Sequence, residues 1–346
     1  MLSKVILVVL LVIGGAYYVL STSPPPRFPQ FAEYAISGVG TFDIPQWSSD
    51  SRYLAYLDTS NALSLSVYDT ETKSTQTLVS SVNIDTAHFS WKPDGTLTYL
   101  MRRSDLSGLP YPRISELHQI DLSGSNDEII AANLSGAGDF AWFRDGERAA
   151  ILLTDPASNT YFNDVYLLDT VTNTATILVK AQELGFQYIA SLTLTPYENS
   201  LLIYGVYEDV GIPTQLVLYN LETQNVTERI TPTHLIPSGG MPYPEPSILD
   251  STNATWVGGE RWYLAPVNTP GGDCYNYALF FFNLFDQSDS FCIPTSRGIV
   301  AYPAISPDLT KISYVTVVGP GHAYLMLGTV PADLLQKLEL HVNNSN

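Results

Sequence analysis

The stretch Phe89-Ser90-Trp91-Lys92-Pro93-Asp94-Gly95-Thr96-Leu97-Thr98-Tyr99-Leu100 predicts a short apolar strand, a tight turn and a second, alternating strand. Pro presets the backbone for the turn, Gly supplies a positive φ, and alternation of apolar and polar residues is typical of a half-buried strand. The same pattern recurs along the chain. The fold therefore has to be read from a repeat rather than from one motif.

Six copies of the pattern begin at residues 47, 91, 142, 194, 256 and 305. Each copy is followed by an apolar strand, and the first four also by an alternating strand that ends in Asp or Asn before a polar turn. One unit thus predicts four antiparallel strands in about fifty residues, the size of a propeller blade. We expect Trp47, Trp91 and Trp142 to lie on inner strands and to fill the space between neighbouring blades. The turn Asp is expected to cap its own backbone.

This repeat resembles the TolB-type, WD40-like β-propeller repeat, whose blades carry a Trp-Ser-Pro-Asp-Gly turn and a later Tyr-x-x-Asp strand end. Trp91 to Gly95 and Ser306-Pro307-Asp308 come closest to it, and the resemblance covers about residues 43–330. It implies an all-β, six-bladed β-propeller of four-stranded antiparallel blades over residues 32–346, and a scaffold or sensor as its role. The repeat is also similar to the propeller of prolyl-oligopeptidase-like proteins. Their hydrolase domain is not expected, since no Gly-x-Ser-x-Gly elbow occurs and few residues follow the last blade.

The N-terminal segment predicts a membrane anchor. Residues 1–4 form a short cationic lead, residues 5–22 are apolar enough for one thin transmembrane helix, and residues 23–31 form a Pro-rich stalk. Lys4 on the short side predicts a cytoplasmic N-terminus and an extracytoplasmic propeller, periplasmic or on the cell surface. A cleaved signal peptide is the alternative.

Two further expectations concern closure and cross-linking of the ring. The sixth blade lacks an outer strand, which residues 32–36 or residues 338–342 can supply, and we favour the N-terminal segment. Cys274 and Cys292 are the two cysteines of the chain. In an extracytoplasmic protein such an isolated pair predicts a disulfide.

Composition and motifs exclude several functions. The net charge of −18, from 34 acidic and 16 basic residues, repels phosphate backbones and argues against nucleic-acid binding. No zinc-protease or phosphate-loop motif occurs, so the residues indicate no catalytic group, metal or cofactor. One alternative stays open, in which His88, immediately before the second inner strand, converges on a metal with His234 and His322. The other two histidines, His118 and His341, give no pattern.

The longest connections between predicted strands are the candidate binding segments, because binding residues gather on loops held by rigid scaffolds. They span residues 102–113, 155–163, 207–213 and 231–254 and mix aromatic with charged side chains, a composition that interfaces favour. The candidate binding residues are Tyr111, Arg113, Tyr161, Tyr207, Glu208, Asp209, His234, Tyr243, Glu245 and His322.

The sequence therefore predicts a non-catalytic module that docks a protein, peptide or envelope polymer on the face that carries these loops. The alternative is a hydrolase or lyase that acts on a polymer at the mouth of the propeller channel. Convergent histidines or paired acids in one pocket favour the enzyme, and an aromatic face without them favours the scaffold.

Overall fold

The structure, a computed structural model, describes thirteen segments of the chain. They are residues 33–39, 45–58, 63–80, 84–103, 114–154, 163–206, 215–230, 255–257, 262–267, 278–283, 291–295, 299–319 and 322–343.

These segments form six four-stranded sheets. The first strand in the sequence, β1 (Glu33–Val39), belongs to the sixth sheet. Sheet 1 comprises β2 (Gln46–Trp47), β3 (Tyr53–Asp58), β4 (Ser64–Asp69) and β5 (Ser74–Ser80). Sheet 2 comprises β6 (Ile84–Trp91), β7 (Leu97–Arg102), β8 (Ile114–Ile120) and β9 (Asp127–Ser135). Sheet 3 comprises β10 (Phe140–Trp142), β11 (Arg148–Thr154), β12 (Asn163–Asp169) and β13 (Thr174–Val179).

The second half of the chain repeats this order. Sheet 4 comprises β14 (Tyr188–Leu194), β15 (Ser200–Val206), β16 (Gln215–Asn220) and β17 (Asn225–Ile230). Sheet 5 comprises β18 (Thr255–Val257), β19 (Trp262–Val267), β20 (Ala278–Asn283) and β21 (Phe291–Pro294). Sheet 6 comprises β22 (Ile299–Ile305), β23 (Lys311–Gly319), β24 (His322–Thr329) and, as its fourth strand, β1.

Every paired strand runs antiparallel to its neighbour. The first strands lie against one another between sheets 1 and 2, 2 and 3, 3 and 4, 5 and 6, and 6 and 1. The expected architecture, an all-β propeller built from four-stranded antiparallel blades, is confirmed. The described part of the chain also contains a short 3₁₀ helix (Ala181–Leu184) between sheets 3 and 4 and, after the last strand, helix α1 (Ala332–Asn343).

Strand β1 supplies the outer strand of sheet 6, as favoured from the sequence. It pairs with β24 from Glu33 opposite Gly328 to Val39 opposite Ala323. The competing segment, residues 338–342, lies in α1 instead of a strand. Leu334 and Leu338 are four residues apart in α1, the spacing of one helix face, and both side chains are buried among apolar residues of sheets 5 and 6.

The tryptophans join neighbouring sheets, as predicted. The Trp91 indole Nε1 donates a hydrogen bond to the Gln46 carbonyl of sheet 1 at 2.9 Å. Trp142 Nε1 donates to the Thr98 hydroxyl of sheet 2 at 2.8 Å. Each of these rings therefore fills an apolar joint and also satisfies its N–H on the preceding sheet, which fixes the spacing between blades.

Sheets 6 and 1 meet in the same way. Trp47 Nε1 lies 3.4 Å from the Ala304 carbonyl, and both residues belong to one buried cluster shared by the two sheets. The Asp308 N–H donates to the Ser51 hydroxyl at 2.9 Å, and Lys311 Nζ donates to the Ser51 carbonyl at 3.1 Å. The first and last repeats of the chain are thus in direct contact.

Two sequence expectations fall mainly on residues outside the described ranges. The lead, the apolar segment and the stalk, residues 1–31, lie wholly outside them, and none of the helices in the described part is long and apolar enough to cross a bilayer. Cys292 lies on β21 opposite Phe280, whereas Cys274 lies outside the described residues. The disulfide remains a prediction.

Candidate functional site

The antiparallel order gives each sheet two different ends. At one, here called the turn end, the first strand passes to the second and the third to the fourth. Its described connections are residues 48–52, 70–73, 92–96, 121–126, 143–147, 170–173, 195–199, 221–224 and 306–310. At the other, here called the loop end, the second strand passes to the third and each sheet passes to the next.

The predicted binding residues are attached at the loop end. Nine of the ten lie outside the described residues, namely Tyr111, Arg113, Tyr161, Tyr207, Glu208, Asp209, His234, Tyr243 and Glu245. His322 is described through its backbone and begins β24 at this end, opposite Gly319. The strands on either side of the other candidates fix the points from which their segments start.

Those points are held by hydrogen bonds. The Arg103 N–H donates to the Ile114 carbonyl at 3.1 Å, on either side of the segment that contains Tyr111 and Arg113. The Thr154 hydroxyl donates to the Asn163 side-chain oxygen at 2.7 Å, beside the segment that contains Tyr161. The loops therefore leave from paired strand ends, the arrangement in which a rigid scaffold carries binding segments.

The two described links of the loop end are tied to neighbouring strands. Asp139, which precedes β10, accepts the Leu192 N–H of sheet 4 at 3.0 Å. Asp164 accepts the Ala181 N–H at the start of the 3₁₀ helix at 2.7 Å, and the Arg229 guanidinium donates to the Leu184 carbonyl at 3.0 Å. Phe186 is buried directly beside Gly205, where a Cβ atom would overlap the ring.

The innermost strands differ between alternate sheets at this end. In sheets 1, 3 and 5 the first strand has two or three residues. In sheets 2, 4 and 6 it has seven or eight residues, and its pairing is interrupted by an irregularity between Ile84 and Phe89, between Ile189 and Ser191, and between Ala301 and Ala304. Such bulges bend a strand and redirect its side chains, and they are frequent beside binding and active sites.

The interrupted strands carry a small group of polar and aromatic residues. His88 is half-buried within β6, not before the strand as the sequence suggested. Tyr188 begins β14 and is exposed, and Tyr302 of β22 is half-buried with a left-handed φ of 50°. A non-glycine residue in that conformation is strained and is over-represented at functional sites. Sequence patterns missed both tyrosines, because a bulge leaves no regular signature.

The turn end is built from repeated capping interactions. Asp94, Asp145 and Asp308 each accept the N–H two residues further along, at 2.9 to 3.0 Å. Burial opposes ionisation of Asp94 and Asp308, but the hydrogen bonds of Thr96 to the first, and of Ser306 and Thr310 to the second, hold both pKa values below the ordinary range. The predicted role of the turn Asp is confirmed.

A second row of carboxylates closes the outer turns of the same end. The Arg52 guanidinium donates to both oxygens of Asp69, at 3.2 and 2.7 Å, and with the N–H groups of the turn it holds the pKa of Asp69 far below its usual range. Asp169 accepts the Thr172 N–H at 2.9 Å, which lowers its pKa. These groups stabilise turns, and their partners are all within the same blade.

One titratable cluster was not anticipated from the sequence. On sheet 2, His118 Nδ1 lies 3.0 Å from Asp127 Oδ1, the Tyr99 hydroxyl donates to Asp127 Oδ2 at 2.7 Å, and Glu116 Oε2 lies 3.7 Å from His118 Nε2. Burial and the hydrogen bond to Asp127 raise the pKa of Tyr99 far above its usual value. Tyr99 and His118 lie opposite each other in the pairing of β7 with β8. A prediction of that strand register would have brought the two residues together.

This cluster does not form an active site. His118 is 8% exposed, Tyr99 is fully buried, and the His118 Nε2 atom is closed off from solvent, so a substrate has no access to the imidazole. Tyr99 belongs to the apolar joint between sheets 1 and 2. Within the described ranges, no three His, Cys, Asp or Glu side chains are arranged to hold a metal. Since His234 lies outside those ranges, the convergence of His88, His234 and His322 remains untested.

Comparison with known proteins identifies relatives by fold. No protein-family model matches the sequence, and no curated protein does. Among solved structures, TolB from Acinetobacter baumannii superposes with a TM-score of 0.55 at 17% identity over 83% of this chain. The match covers 65% of the TolB chain, which is therefore substantially longer than the part they share.

Two enzymes are equally similar in structure. An oligogalacturonate lyase from Vibrio parahaemolyticus gives a TM-score of 0.56 at 11% identity, covering 88% of this chain and 95% of the lyase. A gluconolactonase from Xanthomonas campestris gives 0.56 at 13% identity, covering 88% and 91%. At such identities the similarity establishes the fold, and it does not discriminate between a binding protein and an enzyme.

Proposed function

Because the chain folds as a TolB-like β-propeller, we propose that it is a non-catalytic scaffold or sensor that docks a protein, peptide or envelope polymer at its loop end. The observation that carries the proposal is the contrast between the ends. Residues of the predicted binding set attach to one end, on paired and hydrogen-bonded strand ends, while the opposite end consists of short turns that satisfy their own polar groups. Binding segments on a rigid frame suit recognition.

The six sheets form one closed ring of six blades in this proposal. The direct contact of sheet 6 with sheet 1, through Trp47, Ser51 and Lys311, supports closure, as does the pairing of β1 with β24. A blade has two apolar faces and is stable only between neighbours, so an open ring would leave two faces exposed.

The propeller is displayed outside the cytoplasm on a single N-terminal membrane anchor. Residues 5–22 are the anchor, residues 1–4 remain cytoplasmic and residues 23–31 form the stalk, which agrees with the charge asymmetry and the apolar run in the sequence. A disulfide between Cys274 and Cys292 fits that compartment. Finding both thiols free after alkylation of the native protein would refute the disulfide.

The net charge of the chain restricts the chemical class of partner that it can bind. A net charge of −18 produces a field that repels polyanions and attracts cationic groups. Tyr188, which is exposed at the start of β14 at the loop end, offers a rigid aromatic surface for contact with side chains or sugar rings. No cofactor enters the proposal, and nucleic acid is an unfavourable partner.

The test is affinity capture from an envelope extract with the full chain in mild detergent. A loop-end variant replaces Arg113, Tyr207, Glu208 and Tyr243 by Ala, and a matched turn-end variant replaces Val171 and Glu222 by Ala. We expect the wild type and the turn-end variant to retain the same partner and the loop-end variant to lose it. Direct binding of the purified partner then has to show the same order of affinities.

Two results would contradict docking at the loop end. Equal capture by the loop-end and turn-end variants would mean that the contact lies elsewhere. Turnover of a polymer or lactone that the loop-end variant abolishes would favour the hydrolase or lyase alternative, to which two structural neighbours belong by name.

A further inference from the structure

The direction of strand β1 fixes where the N-terminal segment meets the propeller. Glu33 pairs with Gly328 and Val39 with Ala323, so β1 begins beside the end of β24. β24 ends at Thr329, which pairs with Lys311 at the close of the 306–310 turn. Residue 33 therefore lies at the turn end, and the chain enters the propeller there.

Helix α1 leaves from the same end. It follows β24 after Val330 and Pro331, and its buried Leu334 and Leu338 hold it against sheets 5 and 6. The first and last described elements of the chain are thus both connected at the turn end. The loop end carries only links between strands within the described part of the chain.

We propose that the turn end faces the membrane and that the loop end is presented away from it. The inference rests on the proposed membrane anchor at residues 5–22 and adds the orientation of the binding face to it. It also determines the direction from which a partner binds. A partner of the loop end must approach from the side that faces away from the bilayer.

The length of the tether supports this orientation. Residues 23–32 can span at most about 35 Å when fully extended. β1 has seven residues and crosses the sheet over about 23 Å, at about 3.3 Å per residue. With the loop end toward the bilayer, the tether would have to run back along the whole sheet. Only about 12 Å would then remain for the loops, including the long 231–254 segment.

Electrostatic adhesion is not needed for the orientation. Several basic groups of the turn end are engaged by neighbouring groups: Arg52 by Asp69 and Glu71, and Arg148 by Asp145. Lys92 lies over the Trp142 ring at 5.1 Å. The entry point of the tether therefore determines which end is near the membrane, and salt should not change it.

The experiment compares two fluorophore positions flanking one strand. Val171, 71% exposed, precedes β13 at the turn end, and the exposed Gln182 follows β13 at the loop end. Val171→Cys and Gln182→Cys chains are labelled with a donor and reconstituted into phosphatidylcholine vesicles that contain an acceptor-labelled lipid. The unsubstituted chain, carried through the same labelling, gives the background from Cys274 and Cys292.

We expect more energy transfer to the lipid from the Val171 position than from the Gln182 position, and loss of the transfer at both positions on solubilisation in detergent. A flexible insertion between Arg27 and Phe28 should reduce the difference. Equal transfer, or stronger transfer from Gln182, in protein that floats with the vesicles would overturn the orientation alone. Protein that does not float with the vesicles would overturn the anchor and, with it, this inference.

Discussion

The two ends of the sheets differ in how their connections are made. At the turn end, Asp94, Asp145 and Asp308 lie in three different sheets, and each accepts a hydrogen bond from the backbone N–H two residues further along. At the loop end, each described link is held by a different interaction. Asp139 accepts the Leu192 N–H of sheet 4, and Asp164 accepts the Ala181 N–H at the start of the 3₁₀ helix. Repetition at one end maintains the fold, whereas variation at the other leaves room for a function that is particular to this chain.

The largest effect is expected from adding a side-chain atom at Gly205, a described loop-end position that has no space for it. A Cβ at Gly205 would overlap the ring of Phe186, which is buried between the link and β15. Gly205→Ala should destabilise the fold by about 3 kcal/mol, the upper range for overpacking. Chemical denaturation monitored by intrinsic fluorescence measures this loss.

Gly138→Ala is the matched control at the same end. Its added Cβ would lie 3.4 Å from the Leu152 Cβ, an ordinary contact. A small cost at Gly138 with a large one at Gly205 would support a tightly packed base under the loops. Equal losses of unfolding free energy in the two variants would mean that the link around Phe186 shifts to accommodate the added atom. The loop end would then be less rigid than its contacts imply.

A smaller effect is expected at the joints between sheets. Trp142→Phe keeps an aromatic ring but removes the donor to the buried Thr98 hydroxyl at 2.8 Å. The loss should be about 2 kcal/mol, since the buried Thr98 hydroxyl would lose the donor to its oxygen and keep only its own bond to the Ser90 carbonyl. Trp47→Phe breaks a longer contact of 3.4 Å to Ala304 and should cost less. The reverse order would show that the joint between sheets 6 and 1 is tighter than the joint between sheets 2 and 3.

The repeat predicted the blades because its information is local. The Trp at an inner strand, the turn Asp and the alternating strands each act within about fifty residues, and the structure confirms them in Trp91, Asp94 and β7. The position of β1 as the fourth strand of sheet 6 was predictable because one blade lacked a strand. Helix α1 was not, because its residues 338–342 have apolar positions compatible with either a strand or a helix, and packing on sheets 5 and 6 decides between them.

The site was less predictable than the fold for a physical reason. His118 and Asp127 meet through the pairing of β8 with β9, and Tyr302 gains its left-handed φ from a bulge opposite β23. Both depend on strand register, which composition does not specify. The loop residues, from Tyr111 to Glu245, were selected by the length and composition of their segments, and only the ends of those segments are defined by the described strands.

Acid should weaken the turn end through its capped carboxylates. Because the pKa of Asp169 is lowered in the folded chain, its charge stabilises the fold above the ordinary Asp pKa of about 4, and this contribution disappears as the pH falls through the folded-state value. Asp169→Asn should therefore flatten the decline of unfolding free energy between about pH 5 and pH 2. Denaturant titrations across that range measure the slope.

Sheet 4 provides the natural counterpart of this variant. Asn220 occupies the equivalent place and accepts the Thr223 N–H at 2.8 Å, as Asp169 accepts that of Thr172 at 2.9 Å. Asn220→Asp should make the decline with acid steeper, the opposite of Asp169→Asn. Identical slopes in both variants would show that these outer turns do not contribute to acid sensitivity.

The smallest effect on stability, with the largest on binding, is expected from the loop-end substitutions themselves. Replacing Arg113, Tyr207, Glu208 and Tyr243 by Ala should change the unfolding free energy by less than about 0.5 kcal/mol per residue if the side chains serve recognition, because surface changes away from the core are nearly neutral. The same variant should lose its partner. A larger loss of stability would instead mean that these side chains pack against the blades. The difference between the two ends would then be one of connection length and not of function.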